Sequence, residues 1–142
     1  MGGFVLAIGS GLGEFPGELR VLRAENAGAV DFPECVVVMG EGAELPQISR
    51  AAGVVINGAS GGCFPVERLN GVQLITCGRC GKNTVSITSD SGEVLTVALN
   101  RAVRTLNGVC EPMEIPVARC AGATDQSCMA GFAAAVLLGM LG

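Results

Sequence analysis

A chain of 142 residues with 49% apolar content is long enough for one domain with a real core and too hydrophobic to stay disordered. Its formal charge of −4, with Lys82 the only lysine, excludes an electrostatic grip on nucleic acid or an anionic membrane. With no His, Trp or Tyr, the core must come from Val, Leu, Ile, Ala, Met and Phe.

In chain order, FVLAIGSG (4–11) predicts a short apolar strand ending in a glycine loop. GELRVLRAEN (17–26) alternates Leu19 and Val21 with charges, as a strand with a partly exposed face does. DFPECVVVMGEG (31–42) holds the continuous run Cys35 to Met39, a fully buried strand stopped by Gly40 and Gly42. ELPQISRAAG (44–53) predicts a short helix opening at Pro46 and closing at Gly53. VVINGASGG (54–62) reads as a buried strand, PVERLNG (65–71) as a helical turn or two, and VQLITCG (72–78) as a further strand.

The texture then changes. TVSITS (84–89) and EVLTVAL (93–99) alternate around the turn DSG, and Asn107-Gly108 marks a second turn. VCEPMEIPV (109–117) is a third strand whose prolines suit an edge. A helix from about Asp125 to Met140, capped by Thr124 or Asp125, ends the chain. It is apolar nearly all round and needs cover on several sides. The pattern implies a single α/β domain over 1–142. Its parts are an open, mostly parallel sheet with short helices, an antiparallel β-meander and a C-terminal buried helix.

MGGFVLAIGSGLG lacks a basic leader region, and the apolar run 128–142 is shorter than the roughly 18 to 20 residues that span a bilayer. The seven cysteines are an odd number with no export signal, a poor disulfide framework. The expected location is the cytoplasm.

Three motifs invite chemistry. Gly9-Ser10-Gly11-Leu12-Gly13 follows a strand, but the third glycine of a dinucleotide fingerprint falls at Glu14, and Pro16 and Gly17 prevent a helix from opening there. Gly81-Lys82 is followed by Asn83-Thr84 and a strand, with Thr76 where a P-loop needs its first glycine. Cys77-Gly78-Arg79-Cys80 has two readings. It is half a zinc site or a redox couple, or it is a turn between strands with Gly78 and Gly81 easing the backbone. A zinc site usually needs a second ligand pair, and a redox pair usually opens a helix. Without His, a nucleophile would need a carboxylate, Lys82 or water as its base.

The order of segments resembles the later part of the central, ATP-binding domain of the Mur ligases, enzymes that join amino acids to peptidoglycan precursors. VLRAEN (21–26) is similar to the family's strand ending in an acidic pair. DFPECVVVMGEGAEL (31–45) is similar to the strand before a metal-associated His, and AAGVVINGAS (51–60) to the strand ending Asn-Ala-Asp-Asp. GVQLITCG (71–78) and the alanine-rich segment 118–142 follow in the family's order. The departures are as telling. Glu25 and Asn26 replace the acidic pair, Glu44 stands in for the His, and Gly58, Ala59 and Ser60 follow the Asn matched by Asn57. With the P-loop missing, ATP-dependent ligation is not expected of this chain.

The resemblance implies a non-catalytic Mur-like domain that works by binding, as a homo-oligomer or on another protein, with no cofactor. A different class of function is a small-ligand enzyme or sensor using the loops after Ala24, Met39 and Asn57. Its candidate binding residues are Glu25, Asn26, Glu41, Glu44, Asn57 and Ser60. A third is a zinc or thiol protein using Cys77 and Cys80.

Overall fold

Continuous apolar runs form the middle of the molecule. The structure, a computed structural model, describes residues 3–15, 18–58 and 65–141. Along the chain lie β1 (Phe4–Ile8), β2 (Val21–Ala24), β3 (Ala29–Asp31), β4 (Cys35–Met39), β5 (Gln47–Arg50) and β6 (Gly53–Asn57). A 3₁₀ turn (Val66–Leu69) leads to β7 (Leu74–Cys77), β8 (Val85–Asp90), β9 (Val94–Leu99), β10 (Val103–Thr105), β11 (Gly108–Cys110) and β12 (Met113–Ala118), and α1 (Asp125–Leu137) follows.

An eight-stranded sheet has the order β12-β9-β8-β7-β6-β4-β1-β2. Its strands are parallel from β2 through β8, and β9 and β12 add antiparallel. At its centre, in β4 and β6, the sheet is buried on both faces, which is why these strands are unbroken apolar runs. In β4, Val36 and Val38 belong to the core under α1, while Cys35 and Val37 belong to a second core on the other face.

The expected α/β class is overturned by what covers that second face. Strands take 43% of the described residues and helix, the 3₁₀ turn included, 13%, and α1 is the single α-helix among them. Where short helices were expected, the chain alternates between the main sheet and a thin outer layer, in solenoid-like stacking. Residues 46–53, predicted as a helix, instead give β5, which pairs in parallel with β3. The reason lies in one residue per strand. Val30 and Ile48 sit opposite each other and are fully buried against the sheet, and Arg50 Nε meets Asp31 Oδ1 at 2.6 Å outside. A helix over 46–53 would have a single large apolar residue to bury, so packing beneath the layer overrides the Pro46 start signal.

α1 is held at its start by a reciprocal cap. Ser127 N–H donates to Thr124 Oγ1 (3.0 Å), and Thr124 N–H donates to Ser127 Oγ (2.8 Å). Ser127 Oγ also donates to the Glu14 carbonyl at 2.7 Å, tying in the segment that follows β1. Leu12, Phe15 and Leu19 pack against the helix-side core, and the β10–β11 hairpin closes the far end through Leu106 N–H to the Leu137 carbonyl. The apolar helix is thus covered by its own chain. No helix among the described residues is long and apolar enough to cross a membrane.

Candidate functional site

The loops leaving β1 and β4 go to opposite faces. The one after β1 runs toward α1, where Leu12 and Phe15 join the helix-side core. The one after β4 runs toward the outer layer, where Leu45 is buried in the second core. Adjacent parallel strands whose connections part in this way open a crevice at their C-terminal ends.

Across its base the two loops touch through a short backbone bridge. Glu41 N–H donates to the Ser10 carbonyl (2.7 Å), and Ser10 N–H returns to the Glu41 carbonyl (3.2 Å). Gly40 makes this approach possible, since a Cβ there would lie 2.5 Å from the Ser10 carbonyl oxygen.

A cleft of about 500 Å³ opens beside the bridge, with Met39, Leu45, Ile56 and Pro65 as apolar lining and Glu41, Glu44, Glu67 and Arg68 as charged lining. A smaller hollow of about 220 Å³ adjoins it, sharing Met39, Gly40, Glu41 and Asn57 and reaching Thr124 at the start of α1. Of the candidate residues read from the sequence, Glu41, Glu44 and Asn57 come together here. Glu25 and Asn26 are exposed beyond the end of β2 and line neither space. Ser60 lies outside the described residues. Glu67 and Arg68 were missed. The PVERL turn after a buried strand was their only signal.

The crevice does not fit a nucleotide. The Gly9 and Ser10 N–H groups, which a phosphate cradle would turn to the ligand, donate to the Ala24 and Glu41 carbonyls. Three carboxylates and one guanidinium line the cleft, and that balance repels phosphates.

The loop 78–83 is pinned at both ends. Thr76 and Thr84 exchange backbone-to-side-chain bonds, with Thr84 N–H donating to Thr76 Oγ1 at 3.1 Å. Asn83 Nδ2 donates to the Cys80 carbonyl (2.9 Å), and Asn83 packs so closely on Gly58 and Gly78 that neither has room for a Cβ. Arg79 reaches from this loop to Asp90 (3.2 Å) and to Asp125 at the first turn of α1. Arg119 meets the same carboxylates at 3.1 and 2.6 Å.

The arginines hold Asp125 below its ordinary 3.8, Arg79 foremost; for Asp90 the Gly92 N–H leads and the arginines add to it. Carboxylates lowered in the fold stabilise it fully above the unfolded value of about 3.8 and lose that contribution as pH falls through the folded values. The urea midpoint should therefore drop on acidification below about pH 4. Arg79→Ala should make that acid limb shallower, and an unchanged limb would remove the network from the account.

The cysteine pair is split by the same loop. Cys77 is fully buried under α1, where desolvation pushes its thiol up to about 12, whereas Cys80 is exposed. A thiol held protonated is a poor metal ligand and a poor nucleophile. Among the described residues no three His, Cys, Asp or Glu side chains gather to hold a metal. Native-state alkylation read by mass spectrometry should label Cys80 and Cys120 first, with Cys35, Cys77 and Cys128 labelled only on unfolding. Fast labelling of Cys77 would contradict its burial.

No protein-family model matches the chain, and neither does any curated protein or solved structure.

Proposed function

We propose that this chain is a non-catalytic ligand-binding domain that takes a small molecule in the crevice at the ends of β1, β4 and β6. The observation that carries the reading is the cleft and its adjoining hollow, which share Met39, Gly40, Glu41 and Asn57 where the connections from β1 and β4 part. A volume of about 500 Å³ and a lining of apolar side chains with a few polar groups are those of a small-molecule site. The proposal keeps the Mur-like ancestry as its background, with the phosphate chemistry gone. A cytoplasmic location belongs to it as well, supported by the odd number of cysteines.

Its test is an NMR titration with a small-fragment library. Shifts clustered on 39–45 and 65–68 support the crevice, and shifts confined elsewhere remove it. In the same experiment ATP-Mg²⁺ should bind no tighter than about millimolar, near −4 kcal/mol. A micromolar constant would restore a nucleotide site.

A second reading, self-association, is favoured by one feature. An apolar groove of about 400 Å³ runs between β12 and α1, lined by Leu19, Ile115, Val117, Phe132 and Met140, and Met140 is 51% exposed. The occupant in this reading is a second copy of the chain. Monomer mass by light scattering at about 100 µM, a concentration at which micromolar dimers persist, would eliminate it.

A further inference from the structure

We infer that the cleft at the ends of β4 and β6 takes an organic cation, an amine carried on an apolar body. This rests on the reading of the crevice as the ligand site. The cleft makes the site, and its lining decides what enters. Leu45 and Ile56 are almost fully buried and, with Met39 and Pro65, offer an apolar surface. Glu44 and Glu67 are exposed around it, the Glu41 carboxylate lies beside it against Gly11, and none of the three is in an ion pair among the described residues. The one cation of the lining, Arg68, gives a guanidinium N–H to the Leu45 carbonyl at 2.7 Å. An anionic ligand would meet this surplus of carboxylate directly, and a neutral apolar one would leave it unused.

A bare metal ion fits less well than an amine. A hard cation needs several oxygens gathered at about 2.0–2.6 Å, and the described carboxylates do not converge. Carboxylates spaced around an apolar surface suit an ammonium group that meets one or two of them while its hydrocarbon part covers Ile56 and Leu45. Such exposed pairs are individually weak, so the contact with the apolar lining must supply part of the affinity.

The experiment titrates the ¹⁵N-labelled protein at low salt with phenethylamine, phenethyl alcohol and 3-phenylpropionate, which share a body and differ in charge. The amine is expected to move the amide signals of 40–45 and 66–68 at the lowest concentration, the alcohol at a higher one and the carboxylate hardly at all. Glu44→Gln and Glu67→Gln should each weaken the amine by about two- to fivefold and leave the alcohol unchanged. Their spectra away from the cleft report that the fold is intact. If the alcohol or the carboxylate moves these signals at least as well as the amine, the cation inference is overturned while the site stands. If none of the three moves them, the cation inference and the site reading fall together.

Discussion

Leu137→Ala is expected to lower the unfolding free energy by about 4 kcal/mol, in the upper part of the range for such truncations. Leu137 is 1% exposed and lies over β6 at Gly53, where a Cβ would come within 2.7 Å of its Cδ1. The leucine thus fills the space that the glycine leaves. Gly53 itself has no side chain to move into the gap once it is removed. The space it shares with Ile75, Leu99 and Val103 has no room for a water molecule, and truncation would open a cavity there. The neighbours are also restrained. The Leu137 carbonyl accepts from Leu106, and Asn107 Nδ2 donates to the Gly139 carbonyl, which fixes the hairpin against the helix end. Against a typical total of about 5–15 kcal/mol, this one change threatens the fold. Urea denaturation measures it, with Leu22→Ala, at a 53% exposed position, as a control that should stay within about 0.5 kcal/mol. A loss below about 1.5 kcal/mol for Leu137→Ala would mean that the helix end is not docked on Gly53.

The main sheet was legible in the chain and its cover was not. Cys35–Met39 is apolar at every position because both of its faces are buried, and such a run is visible without any structure. β3 and β5 carry one buried residue each, Val30 and Ile48, between exposed neighbours, so neither shows a period. Each forms because the other and the sheet beneath are present. That dependence is tertiary, and the residue pattern favoured a helix with Pro46 at its start. The cover of α1 is also non-local. Ser127 and Glu14 are 113 positions apart, and nothing near either residue announces the contact.

The site divides along the same line. Glu41, Glu44 and Asn57 could be chosen because they follow buried parallel strands, and such ends face the crevice. Glu67 and Arg68 depend on where the 3₁₀ turn settles after β6, which strand counting does not reveal. Arg79 was in plain view between two cysteines, yet its partners Asp90 and Asp125 lie 11 and 46 positions away. The cysteines drew attention as chemistry. In the structure one is core and the other is surface, and the charged residue between them ties the loop to the start of α1.

Gly40→Ala should cost about 3 kcal/mol and remove ligand binding together with it. A methyl group at this position would stand 2.5 Å from the Ser10 carbonyl oxygen and 3.0 Å from both the Ile8 carbonyl oxygen and Leu12 Cγ. Two of these are backbone atoms, which cannot rotate aside as a side-chain tip can. The chain between Ile8 and Ser10 must therefore move. That movement stretches the Gly40 N–H bond to the Ile8 carbonyl (2.6 Å) and the paired bonds between Ser10 and Glu41. Each such bond contributes about 0.5–1.5 kcal/mol, and overpacking adds about 1–3. The same movement shifts Glu41 and Met39, which line both the cleft and the hollow, so binding and stability should fall together. Gly28→Ala separates this steric effect from a general cost of losing glycine. No atom lies within 4 Å of its would-be Cβ, and its stability should stay within about 0.5 kcal/mol of the parent. Chemical denaturation and the amine titration, run on both variants, report the two effects. If Gly40→Ala keeps full stability but loses binding, the bridge positions the site without supporting the fold. If it keeps both, the close crossing of the two loops is not present in solution.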